Sequence, residues 1–285
     1  MNQDVVIVGA PRSGTNMLRD VLTSLEGVAT WPCDEINLLW RHGNRRVPSD
    51  ELTPSMARPT VTSYVRARFD DIRRRQAAPV VVEKTCATSL RVAFVREVLP
   101  RAKFVLITRD GVDAAASAMD RWLGGFDLRY TAAKARYVPL TDVPYYGLRF
   151  VHAHVRRRRS TPSGEVRTWW GPRPADYARL MREHPLEEIC AIQWQRCVEA
   201  SRRDLDGLDG HQVAHVSYER LVADPLTEMT RIAEFVGVPT AGLPTSVSRV
   251  TGSSVGKGRA RLGPQTVRRL ESLTAPTLEA LGYGS

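Results

Sequence analysis

Apolar and polar positions alternate in blocks along the chain. Val5 to Val8 is a continuous apolar run, the pattern of a strand covered on both faces of a parallel sheet. Asn16 to Leu25 then places Met17, Leu18, Val21, Leu22 and Leu25 at helical intervals. The rhythm repeats. "PVVVEK" (Pro79 to Lys84) predicts a second buried strand, and Leu90 to Leu99 a helix carrying Val92, Val95 and Val98. "KFVLITRD" (Lys103 to Asp110) predicts a third strand, followed at once by a helix over Gly111 to Trp122. Val61 to Gln76 reads as a helix with a solvated basic end at Arg73, Arg74 and Arg75, after a Pro- and Arg-rich loop over 41–60. Towards the C-terminus, Glu187 to Asp206 is amphipathic, "QVAHVS" is a short strand and Pro225 to Val236 a helix. A loop rich in Gly, Ser and Arg (Arg249 to Gly263) precedes a last helix ending near Leu281. Strands alternating with helices predict right-handed crossovers and a mostly parallel sheet.

Residues 123 to 186 break the rhythm. They carry "RRRR" (Arg156 to Arg159) and "TWWGPRP" (Thr168 to Pro174), and read as an insertion, at about 136–186, into one domain spanning 1–285. "YYGLRFVHAHVRRRRS" has the makings of an amphipathic basic helix with Leu148, Val151 and Val155 on one side, although a charge run is usually a solvated face. "WWGPR" offers stacking surfaces for a sugar or an aromatic acceptor, and serves equally well as core.

Composition changes this picture little. An apolar content of 42% and a charged content of 25% belong to an ordinary globular protein. The net charge of +10 favours an anionic ligand, an acidic surface or a nucleic acid without ranking them. No nucleic-acid module accompanies it, so no nucleic-acid partner is expected. Cys33, Cys86, Cys190 and Cys197 form no CxxC pair and read as thiols of a reducing compartment. The N-terminal stretch has no basic region ahead of an apolar one, and no apolar run approaches the ~20 residues of a membrane helix. A cytoplasmic protein without a transmembrane segment is expected. Oligomeric state has no signature in the sequence.

The candidate chemistry begins at "VGAPRSGTN". Gly9 and Gly14 have the glycine spacing of the phosphate-binding loop G-x-x-x-x-G-K-[ST], yet Thr15 and Asn16 stand where that loop has its Lys and its Mg²⁺-holding hydroxyl. A kinase or nucleoside triphosphatase is thereby disfavoured. The cation sits inside the loop instead, at Arg12, so backbone N–H groups and a helix N-terminus still converge on an anion without a metal. A second anion site follows the third strand in "LITRDGVDAAASAMDRW". Arg109 ends the strand, Ser117 lies in the next helix and Arg121 is one turn further on the same face. Strand ends and helix starts of a parallel sheet share the ligand-binding edge. The expected fold is therefore α/β, P-loop-like and three-layered, with a mostly parallel central sheet flanked by helices.

"PRSGT", with "RDGVDAAAS" about a hundred residues later, resembles the paired nucleotide-binding motifs of sulfotransferases that use 3′-phosphoadenosine 5′-phosphosulfate (PAPS). The likeness is to the bacterial sulfotransferases related to the protein-tyrosine sulfotransferases. It continues through "DEINLL", "EKTCATSLRVAFVREVLP", "GFDL", "WQRCVE", "SYERLVADP", "EFVGV" and "LGY".

The resemblance implies that Arg12, Ser13, Gly14, Thr15 and Asn16 hold the 5′-phosphosulfate, Asn16 replacing a more usual Thr. It implies that Arg109 and Ser117 hold the 3′-phosphate with help from Arg121. Tyr218 would line the nucleotide site, or be a core aromatic. Lys257 in "SSVGKGRAR" would belong to a loop closing over the nucleotide, or to a flexible basic loop, with Arg259 and Arg261 as weaker candidates. Arg12 and Lys84 would stabilise charge on the departing nucleotide. Glu35 would be the general base, after a two-residue gap that leaves Asp34 as a rival. The implied reaction moves a sulfuryl group from PAPS, without a metal, to a hydroxyl or amine of a small-molecule, glycan or peptide acceptor. A non-catalytic nucleotide-binding relative is the alternative.

Overall fold

The computed structural model describes residues 2–123 and 169–283. Five parallel strands form one sheet in the order β2-β3-β1-β4-β5: β1 (Gln3–Val8), β2 (Val28–Ala29), β3 (Val80–Lys84), β4 (Lys103–Thr108) and β5 (Val213–Ser217). Alternate residues of the apolar runs face opposite layers. Val6, Val8, Val81, Phe104 and Leu106 pack towards Phe69 of α3 (Pro59–Gln76) and Phe94 of α4 (Val92–Val98). Val5, Ile7, Val82, Val105 and Ile107 pack towards Leu18 and Leu22 of α1 (Thr15–Thr23) and towards Ile232 on the far side of β5. Helices cover both faces, as the unbroken apolar runs of the strands require.

The strand order positions the site. From β1 the chain steps outward to β2, returns to β3, then crosses to β4 on the other side of β1. The carboxyl ends of β1 and β4 therefore flank a crevice where ligands bind in open α/β sheets. Two loops lead out of it, one from Val8 into α1 and one from Thr108 into α5 (Gly111–Leu123).

Several elements depart from the sequence reading. β2 is two residues long and carries no periodic signal. α2 (Asn37–Trp40) is a single turn, and the loop expected over 41–60 contains a 3₁₀ turn at Pro54–Met56, with α3 starting at Pro59. After β5 come α8 (Tyr218–Ala223), capped by Ser217, and α9 (Pro225–Val236), capped by Asp224, whose carboxylate accepts the Thr227 N–H at 3.2 Å. α10 (Leu243–Ser246) follows. The expected loop Arg249 to Gly263 is only partly a loop: Lys257–Leu262 forms α11, and α12 (Pro264–Ala280) completes the chain. Ahead of β5 lie α6 (Tyr177–Glu183) and α7 (Leu186–Leu205).

Most of the expected insertion, including the Arg156 to Arg159 run and the basic helix around Val151, lies outside the described residues. Its C-terminal end does not. Trp169 meets Trp122 and Tyr177 edge-on at 5.1 and 5.7 Å, and Trp170 packs against the cluster holding Val112 and Ala115. Gln193 donates to the carbonyls of Trp170 and Pro172 at 2.8 and 2.9 Å. Both tryptophans are thus occupied by the protein's own packing.

Candidate functional site

The loop after β1 runs close to β4, since a Cβ on Gly9 would lie 2.7 Å from the Ile107 carbonyl oxygen. It turns through two left-handed residues, Arg12 at φ 68° and Gly14 at φ 89°. Gly14 is also the N-cap of α1 and brings no side-chain acceptor. The N–H groups of the first turn are left for an anion.

Arg12 aims across the crevice, its Nε donating to Ser117 Oγ of α5 at 2.9 Å. Arg109 approaches from the end of β4. Its Nη1 donates to the Arg12 carbonyl at 2.9 Å and its Nη2 to the Ser254 carbonyl at 2.6 Å. The guanidinium lies 4.3 Å above the Tyr218 ring and 3.7 Å from Asp113. Arg12, Arg109 and Ser117 therefore meet in one place, with Arg121 exposed one turn further along α5. Burial, and then the positive charges of Arg121 and Arg109, lower the Arg12 guanidinium from its ordinary value. Among the described residues Arg12 and Arg121 form no ion pair. Like charges gathered this way are stabilised by a bound anion.

Other sequence candidates take up different positions here. Ser13 is wholly buried and its hydroxyl has no partner among the described residues. Thr15 is buried with its hydroxyl 3.7 Å from Cys86 Sγ, while Asn16 is exposed. Tyr218 is buried too. A Cβ on Gly14 would meet its ring at 2.6 Å, so the tyrosine is a wedge between the loop and Arg109. Lys257 is exposed at the start of α11. Arg259 and Arg261 fasten the C-terminal segment: Arg259 pairs with Asp110 at 2.7 Å and with Glu271, and Arg261 with Asp120 at 2.8 Å.

The second half of the site lies on β3. Lys84 is 5% exposed at the strand's end, with its ammonium 3.4 Å from Glu35 Oε1. Burial opposes that charge, but the neighbouring Cys86 and Glu35 outweigh it and the ammonium is raised. The Cys86 N–H donates to the same Glu35 oxygen at 3.3 Å, and the Ile36 N–H to Thr85 Oγ1 at 3.0 Å. These bonds tie the segment before α2 to the end of β3 and hold the Glu35 carboxylate. Asp34 goes elsewhere, pairing with Arg19 of α1 at 3.3 Å.

Asp113, to which the sequence motif gives no role, is buried and accepts N–H groups from the C-terminal segment. Its position four residues after Arg109 is the sole signal the sequence carries.

The profile of the Sulfotransferase family matches residues 4–167 and 148–242, well over half of the chain. The chain belongs to the sulfotransferase family. Solved structures agree on the fold. A sulfotransferase from Alicyclobacillus acidocaldarius superposes with a TM-score of 0.53 at 20% identity, over 100% of this chain and 97% of that one. A sulfotransferase domain from the curacin biosynthetic pathway gives 0.53 at 12% identity, over 96% and 98%. A Mycobacterium avium sulfotransferase gives 0.52 at 13%, over 98% and 76%. A search by sequence alone matches no curated protein. Among the described residues, this sulfotransferase has no cluster of His, Cys, Asp and Glu able to hold a metal and no helix long and apolar enough to cross a membrane.

Proposed function

We propose that the protein transfers the sulfuryl group of PAPS to a hydroxyl or amine of a glycan or small-molecule acceptor. The observation that carries this reading is the meeting of Arg12, Arg109 and Ser117 beside the uncapped start of α1, at the crevice between β1 and β4, with Arg121 one turn beyond Ser117. A ligand phosphorylated at both ends of a ribose fits two anion sites on one sheet edge.

On this reading the loop from Arg12 to Asn16 binds the 5′-phosphosulfate, and Arg109 and Ser117, with help from Arg121, the 3′-phosphate. Arg109 has Nη1 and Nη2 engaged by main-chain carbonyls, while its Nε is buried without a partner among the described residues. It supplies positive charge, holds the Arg12 backbone in place and keeps that Nε as a free donor. In the chemical step the acceptor oxygen attacks sulfur as the bond from sulfur to the bridging oxygen of the nucleotide breaks. Glu35 takes the acceptor's proton. Negative charge grows on the bridging oxygen, where Arg12 and Lys84 stabilise it. Adenosine 3′,5′-bisphosphate leaves. Glu35 suits the part better than Asp34 because it shares Lys84 with the reacting edge, whereas Asp34 is turned to Arg19.

The test is incubation with sulfur-labelled PAPS and a panel of glycan, phenolic and amine acceptors, beside calorimetry with adenosine 3′,5′-bisphosphate. Label transfer and saturable binding are expected. A protein that binds no bisphosphate overturns the reading. One that binds it and transfers no label to any acceptor class is a nucleotide-binding relative instead.

A further inference from the structure

The C-terminal segment from Ser253 to Leu262 crosses the donor side of the site as a strap. The N-cap of α11 is Gly256, which has no side chain to supply an acceptor. Asp113, in the first turn of α5, supplies the missing acceptor from another helix. Its Oδ2 accepts the Gly256 N–H at 2.6 Å, and its Oδ1 accepts the N–H groups of Gly258 at 2.8 Å and Arg259 at 3.3 Å. These are the N-cap, second and third positions of α11, donors that a helix leaves unsatisfied. Just upstream, the strap's Ser254 carbonyl accepts from Arg109. One carboxylate and one guanidinium, four residues apart at the start of α5, thus grip the strap by its amides and by a carbonyl.

The strap's other ties are ionic as well: Arg259 pairs with Asp110 and Glu271, and Arg261 with Asp120. Ser253, Val255, Gly256 and Lys257 are exposed, Val255 at 46%, and Gly258 is the buried residue of α11. The contact at Gly258 is so close that a Cβ would lie 2.7 Å from Asp113 Cα and 2.8 Å from Ala116 Cβ. A strap held by charged hydrogen bonds rather than apolar burial can open and reclose without disturbing the core.

We propose that Asp113 is a positioning residue that latches this strap over the donor site, and that releasing the latch speeds escape of the bound nucleotide. Asp113 acts through Arg109 and the strap backbone rather than by touching the ligand. The proposal rests on the donor reading above for the identity of the nucleotide, and on the geometry alone for the latch.

Two variants approach the contact from opposite sides. Asp113→Asn removes the charge and turns one acceptor into a donor facing an N–H. Gly258→Ala leaves the carboxylate intact and wedges the strap away. Amide hydrogen exchange over 254–262 is read without ligand, dissociation of adenosine 3′,5′-bisphosphate by stopped flow, and steady-state kinetics against PAPS. Each hydrogen bond to a charged group is worth at least about tenfold in an opening equilibrium, so at least about tenfold faster exchange in the strap and about tenfold faster nucleotide release are expected. Exchange in β1 and β4 should stay as in the wild type, and the KM for PAPS should rise more than kcat falls. A general loss of structure would instead speed exchange everywhere and lower kcat with stability. Unchanged strap exchange in both variants overturns the latch. A loosened strap with wild-type nucleotide release overturns its role in retention. Should the wild type bind no nucleotide, the donor reading and the retention role fall together, while the exchange experiment still decides the latch.

Discussion

Glu83, next to Lys84 on β3, is wholly buried, and neither carboxylate oxygen has a hydrogen-bond partner among the described residues. Arg91 is wholly buried beside it and reaches Asp50 at 3.8 Å. Burial pushes the Glu83 carboxyl up from 4.5 to about 7, against the opposing positive charges of Arg91 and Lys84. Burial lowers Arg91 to about 10, opposed by Asp50 and Glu83, so it stays charged at neutral pH. Because the folded form holds its proton more tightly than the unfolded form, stability is full below the unfolded value. It falls as pH rises through 4.5 and levels off above about 7. The shift of 4.5 to about 7 converts to a total loss of about 3 kcal/mol, most of which falls between about pH 5 and about pH 8. Urea unfolding of the wild type and Glu83→Gln across that range isolates this group, since every other titration is common to both. The wild type should lose stability relative to the variant as pH rises. A difference between the two that stays constant from about pH 5 to about pH 8 refutes the assignment of a raised carboxyl to Glu83.

Three further outcomes follow from the geometry. Glu35→Gln should lower turnover about 10²–10⁴-fold with bisphosphate binding kept in calorimetry, while Asp34→Asn, which loses only its pair with Arg19, should keep most activity. Arg12→Gly relieves a left-handed residue at φ 68° worth about 1 kcal/mol, so its melting temperature should hold or rise while bisphosphate affinity falls at least about tenfold. Gly14→Ala forces a Cβ to 2.6 Å from the Tyr218 ring at φ 89°, and denaturant melts should show a loss of about 2–4 kcal/mol.

The sheet was legible because its strands are buried on both faces, so β1, β3 and β4 appear as unbroken apolar runs. β2 escaped because two residues carry no period, and α11 because Gly256 and Gly258 make its sequence read as a loop. Gly258 is there to let the strap reach Asp113, a contact 145 residues apart in the chain. Arg12, Arg109 and Ser117 were legible as a group since the motifs lie after neighbouring strands. Which donors Arg109 keeps open was not legible, because Ser254 reaches it only through the tertiary fold. Tyr218 was left between two roles that its burial brings together: it packs like a core residue, and what it packs are Gly14 and Arg109.

The strand order also divides labour. Everything that grips the donor on the proposed reading grows from β1, β4 and the chain beyond β5, whereas Glu35 and Lys84 sit on the β2–β3 side. Asp50 joins that second half to the returning chain, exchanging hydrogen bonds with the backbone of Arg173 at 2.7 and 2.9 Å. On the proposed reading, a chimera that swaps the stretch between β2 and α3, keeping Glu35 and the Arg173 contact, should therefore leave affinity for adenosine 3′,5′-bisphosphate unchanged.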